Sequence, residues 1–127
     1  MPPCIICDRA FEFAARIVTL CDSMASRGFS ARHIAGQLIR CGTSIGANAE
    51  EAQEGQTKPD FIAKMCASRK EARETVWWLR LAVRTGIAKA EEVSWELGEA
   101  KQLLAMARAA VKTARASPGR GAGDGGG

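Results

Sequence analysis

The residues that most constrain this chain lie in its last third. Val93, Leu97, Ala100, Leu104, Ala107, Val111 and Ala114 alternate steps of four and three without a fault. That spacing keeps apolar side chains on one line of a helix and is the pattern of a bundle seam. Three earlier segments carry comparable stripes. Phe13, Ile17, Leu20, Cys21 and Met24 recur at helical spacing between Asp8, a plausible N-cap, and Gly28, a plausible stop. Ile34, Leu38, Cys41, Ile45, Ala49 and Ala52 form a second stripe, for which Ser30 can supply the cap. Phe61, Met65, Ser68, Ala72, Val76, Leu79 and Val83 form a third, opened by Pro59 and closed by Gly86. No stretch alternates with the period of a strand. The expected fold is therefore all-α, an up-and-down antiparallel four-helix bundle over residues 8–116. Residues 1–7 form an N-terminal extension, and residues 117–127 form a glycine-rich tail expected to be disordered.

Gly36, Gly42 and Gly46 interrupt the second helix, at roughly 1 kcal/mol each relative to Ala. Small residues so spaced let two helices approach closely. A phosphate loop fits poorly, because Gly42-Thr-Ser-Ile-Gly46 follows a helix and lacks the Gly-Lys-Ser/Thr ending.

Charge is unevenly placed. Residues 1–100 carry 13 basic and 13 acidic side chains, and the net +4 resides in Lys101, Arg108, Lys112, Arg115 and Arg120 against Asp124. The excess serves either as a handle for an anionic partner or as a complement to the C-terminal helix dipole. On the third helix, Arg69, Arg73, Trp77, Arg80 and Arg84 share a sector of about 80° beside the core stripe. Guanidinium groups pair with phosphates and an indole stacks on a base, so this sector is a candidate nucleic-acid face, with Lys112 and Arg115 as further bases. The alternative is a solvated flank whose Arg stems cover apolar surface. Trp78 and Leu81 lie on another face and are candidates for an oligomer interface.

Catalytic and metal chemistry find little support. His33 stands alone, with no neighbouring group in sequence to orient it. Cys4-Ile-Ile-Cys7 has redox or zinc spacing, but there is no second ligand pair and no strand–helix context. Glu50, Glu51, Glu54, Glu71 and Glu74 lack the Glu-x-x-His pairs of a di-metal bundle. No enzymatic activity, metal or cofactor is expected. The absence of an export signal or a long apolar run predicts a cytoplasmic protein with reduced thiols, although the two N-terminal thiols can oxidise adventitiously.

One further pattern is specific. Arg40-x-x-Thr43-Ser44-Ile45-Gly46-Ala47-Asn48-x-x-Glu51-Ala52 precedes Lys58-x-Asp60-Phe61-Ile62-x-Lys64-Met65. Lys70-Glu71-Ala72-Arg73-Glu74-Thr75 and Trp78-Leu79 follow. Together they resemble the bacterial four-helix bundle family first met in intervening sequences of large-subunit ribosomal RNA genes. That family looks related to the accessory protein of diversity-generating retroelements. The resemblance implies an up-and-down bundle that assembles as a ring, as a homopentamer, and a basic surface that binds RNA or DNA. In the retroelement branch it also implies a reverse-transcriptase partner. It implies no catalysis. A competing function is an oligomeric scaffold that binds a protein. Read from the residues, Arg40, Ser44, Asn48 and Glu51 step along one face, and Glu71 and Glu74 step along the next helix. They predict a buried polar seam in which Arg40 pairs with one or both acids.

Overall fold

The computed structural model describes residues 3–118. Helix α1 spans Ile5–Ala25, α2 Phe29–Gln53 and α3 Lys58–Arg84; one 3-10 turn, Glu91–Val93, leads into α4, Ser94–Ala116. Consecutive helices pack side by side, and α4 returns to α1, which closes an up-and-down four-helix bundle. The tail expected to be disordered lies, beyond Pro118, outside the described residues. Among the described residues no helix is long and apolar enough to cross a membrane.

Local chemistry sets the helix ends. Thr57 caps α3, its hydroxyl accepting from the Asp60 N–H at 3.2 Å, and Pro59 sits in the first turn where its missing N–H costs nothing. Two expected caps are not used. Helix α1 starts at Ile5, capped by Cys4, so Asp8 lies inside its first turn. Ile6 and Cys7 are thereby drawn into the core. Helix α2 starts at Phe29 with Gly28 at the N-cap, φ 144°, and Ser30 lies within the helix. The sharp reversal after α1 requires that backbone angle, which a residue with a Cβ rarely adopts.

The core is built from the predicted stripes. Phe13, Ile17, Met24, Leu38, Ile45, Met65, Leu79 and Val111 are among its largest buried side chains. In α4 the buried line is broader than the heptad. Leu103 is wholly buried while Leu104 and Leu97 are only partly so, because α4 lies in the groove between α1 and α3 and wedges residues toward both. Glu96 is also buried, 3.8 Å from the Arg16 guanidinium, which itself lies 4.2 Å from the centre of the Trp95 ring.

Close packing of α1 on α2 depends on small residues. A β-carbon at Gly46 would stand 3.1 Å from that of Ala10, and one at Gly42 would press on Ile17. Gly36 faces open space and has no such role. Between α2 and α3 the core is polar in two places. The Ser68 hydroxyl donates to the Ile45 carbonyl at 2.8 Å, and Thr75 contacts the Cys41 sulfur at 3.2 Å while donating to the Glu71 carbonyl at 2.7 Å. Both hydroxyls are buried and satisfied.

Candidate nucleic-acid interface

The charged side chains of α3 divide by direction. Glu71 and Glu74 face α2, where Arg40 reaches both: Nη2 lies 2.7 Å from Glu74 and Nη1 3.4 Å from Glu71. Trp78 lies on the same flank, its ring edge-on to His33 of α2 with centroids 5.9 Å apart. The basic sector turns the other way. Cys66 belongs to that sector on a helical wheel of about 100° per residue. Its sulfur meets Arg115 of α4 at 3.9 Å. The line of Arg69, Arg73, Arg80 and Arg84 therefore borders α4.

Helix α4 is divided in the same manner. Glu99 turns to α1 and pairs bidentately with Arg9, at 2.9 and 2.6 Å. Arg9 is held further in its charged form by that pairing. Lys101, Arg108, Lys112 and Arg115 fall within about 60° of one another on the opposite flank, toward α3. The α3–α4 flank thus gathers bases from two helices, while the acids of both helices point to other neighbours. Among the described residues, the ion pairs engage Arg9, Arg16, Arg27, Arg40 and Lys64, and none of the flank's bases. Uncompensated bases on adjoining ridges concentrate positive potential. In the sequence Lys101 and Arg108 carry charge without an evident face; the seven-residue steps from Lys101 to Arg108 to Arg115 hold that signal.

Trp77 stands at the edge of this flank, 51% exposed, and meets the Trp78 ring edge-to-face at 4.8 Å. Trp78 itself is half-buried and Leu81 is packed against the core. The face expected to need a second subunit is therefore covered in part by His33 of the same chain. Besides Trp77, the large apolar side chains left exposed lie elsewhere: Ile5, Phe11 and Val18 on α1, Phe29 at the start of α2, and Trp95 on α4.

The predicted polar seam crosses to α3 at its two ends, through Arg40 and Glu51, and not between them. Arg40 is half exposed, so its ion pairs are not buried. Ser44 and Asn48 bond back to their own helix, Ser44 to the Arg40 carbonyl and Asn48 to that of Ser44. Glu51 pairs with Lys64 at 2.6 Å, near the α2–α3 turn. Side chains on this face of α2 are too short, Arg40 and Glu51 excepted, to reach α3 across the rim.

A shallow groove of about 350 Å³ lies between the α2–α3 turn and the end of α4, lined by Gln53, Thr57, Phe61 and Ala114. Its one cation, Lys58, donates to the Ser117 carbonyl at 2.6 Å. Among the described residues, no group of three His, Cys, Asp or Glu side chains could hold a metal ion.

An up-and-down bundle with charge sorted by flank defines the class: a helical protein whose distinguishing surface is basic and spans two helices. Residues 4–109 match the 23S rRNA-intervening sequence protein family, and the chain belongs to it. A solved structure of a protein of unknown function from the S23 ribosomal protein family of Bacteroides thetaiotaomicron is similar, at 34% identity and a TM-score of 0.78. The alignment covers 84% of this chain and 98% of that one. Comparison with curated protein sequences gives no match.

Proposed function

We propose that this protein is a non-enzymatic, homo-oligomeric accessory protein of the cytoplasm that binds RNA or DNA without sequence preference through its α3–α4 flank. The observation that carries the reading is the set of bases from Arg69 to Arg84 and Lys101 to Arg115, none of them in an ion pair among the described residues. Such side chains contact phosphates and release condensed counterions, a contribution indifferent to base identity. The exposed Trp77 ring adds a stacking surface available to unpaired bases. Exposed Phe11 and Val18, seven residues apart on α1, support self-association, and the family resemblance supports a ring of five. The reading without enzymatic activity is supported by the groove at the α4 end, whose described lining sets no carboxylate or histidine beside its hydroxyls.

Fluorescence anisotropy with labelled single- and double-stranded RNA and DNA, read against salt, tests the binding. The expected result is binding that weakens steadily as salt rises. No binding at low salt to any of the four would overturn it and leave the scaffold reading, for which a protein partner should co-purify through nuclease treatment. A reverse transcriptase is the partner to try first under that reading, since the family resemblance extends to the retroelement branch. Light scattering with and without RNA tests the assembly; a strict monomer would remove the oligomer.

A further inference from the structure

The first turn of α1 holds two cysteines that the nucleic-acid reading does not use. Cys4 and Cys7 are joined by a disulfide across that turn. Cys4 occupies the N-cap, and its sulfur accepts from the Cys7 N–H at 3.2 Å. The two sulfurs are unequal. Cys7 is buried in the core while Cys4 is only half-buried, at the end of the bundle. The three remaining thiols differ again: Cys21 and Cys41 are buried, Cys66 is half-buried with no cysteine partner, and burial pushes the Cys21 thiol up to about 12.

We propose that Cys4 and Cys7 form a thiol–disulfide exchange site for small thiols and disulfides, with Cys4 the sulfur that is attacked. Three features of the turn favour exchange there. The pair is close enough to close and reopen without moving the backbone of α1. The free N–H groups and the dipole at a helix N-terminus stabilise a thiolate formed at the cap. Cys4 is the more exposed of the two, which selects the sulfur a small nucleophile meets.

In the reducing direction a small thiolate bonds to the Cys4 sulfur. The bond to Cys7 breaks, and its electron pair leaves on the Cys7 sulfur, which takes a proton. A second small thiolate then attacks the small-molecule sulfur of this mixed disulfide and releases Cys4. Two small thiols become one small disulfide, and their two electrons rest in the Cys4–Cys7 dithiol. The oxidising direction is the reverse, with the small disulfide as oxidant. The dithiol keeps the helix cap, since a thiol sulfur can accept from the Cys7 N–H as well.

The test uses the full chain in glutathione buffers of graded ratio, quenched with an alkylating reagent and mapped by mass spectrometry. Cys4 and Cys7 should pass together from bonded to doubly alkylated within the range of ratios, while Cys21 and Cys41 stay thiols throughout. Cys7→Ser should accumulate a glutathione adduct on Cys4. Cys4→Ser, which retains a capping side chain, should take up markedly less on Cys7. Full alkylation of both cysteines at every ratio would overturn the proposal, as would equal adducts on the two variants. Circular dichroism of each variant confirms that the helices persist, so that an unfolded chain is not read as a reactive one. Should Cys7→Ser unfold, trapping the mixed disulfide in the native chain and mapping which sulfur carries it decides the same point.

Discussion

A β-carbon placed on Gly42 would lie 2.9 Å from Cγ2 of Ile17, closer than real β-carbons come to a neighbour. The Ile17 side chain fills the space over Gly42 where the two helices meet, and it is itself wholly buried. Gly42→Ala must displace a branched side chain with nowhere to go, at about 1–3 kcal/mol, and this outweighs the helix propensity it gains. Gly36, on the same helix, faces open space. Gly36→Ala should stabilise the fold by up to about 1 kcal/mol. Denaturant unfolding of both variants checks the pair: opposite signs are expected, and two stabilising changes would show that the close approach is not needed.

Arg40 bridges α2 to Glu71 and Glu74, but at half exposure its pairs are screened by water. Loss of a buried pair costs ~3–5 kcal/mol, whereas exposed pairs contribute ~0.2–1 kcal/mol. Arg40→Ala should therefore lower stability by about 1 kcal/mol or less, and the loss should shrink in high salt. A loss of several kcal/mol in urea titration would mean that Glu71 is more deeply sequestered than its surroundings indicate.

Arg27 ties the end of α1 to the approach to α4, donating to the Ile87 carbonyl and to Glu92, both at 2.9 Å. The Arg27 hydrogen bond holds the Glu92 carboxyl below its ordinary value of 4.5, assisted by the Lys89 N–H. The unfolded chain thus takes up this proton at higher pH than the folded chain does. The stabilisation is complete above the ordinary value and is lost as pH falls through the lowered, folded one. Glu92→Gln should cost about 0.2–1 kcal/mol at neutral pH and nothing once the native carboxyl is protonated. Thermal unfolding across that acid window checks the sign; a penalty that grows as pH falls would refute it.

The α3–α4 flank predicts a salt signature. Arg73→Ala with Arg80→Ala removes two phosphate contacts, so the slope of log affinity for a single strand against log salt should flatten by about 1.4. Trp77→Ala should instead weaken single-strand binding by about 1–3 kcal/mol with the slope unchanged. Anisotropy titrations at several salt concentrations separate the two effects. An unaltered slope in the double variant would place the contacts elsewhere on the surface.

Much of the fold was legible because burial imposes a period. The stripes running through Phe13, Leu38, Leu79 and Val111 are core in the structure as in the sequence. Helix ends were less legible, since several neighbouring residues can cap. Asp8 and Cys4 both precede α1's apolar stripe, and only the burial of Ile6 and Cys7 favours the earlier start. The basic line of α3 was visible on a wheel. Its continuation through Lys101 and Arg108 was not, because a wheel shows which side chains share a face but not which helix lies beside it.

The sequence by itself determined that this chain makes four amphipathic helices, where each bends back, and that α3 sorts its acids from its bases. Those properties depend on residues a few positions apart, which the helical repeat brings together without help. Tertiary structure decided the rest. Only the packing of α3 against α4 joins two basic lines into one flank, and only α2 gives Trp78 and Glu71 their neighbours. Most of all, the heptad line of α4 proved to be one edge of a wider buried surface, with Leu103 inside and Leu104 at the margin. A helix lodged between two others buries what both of them cover, and that width is a property of the bundle and not of any helix in it.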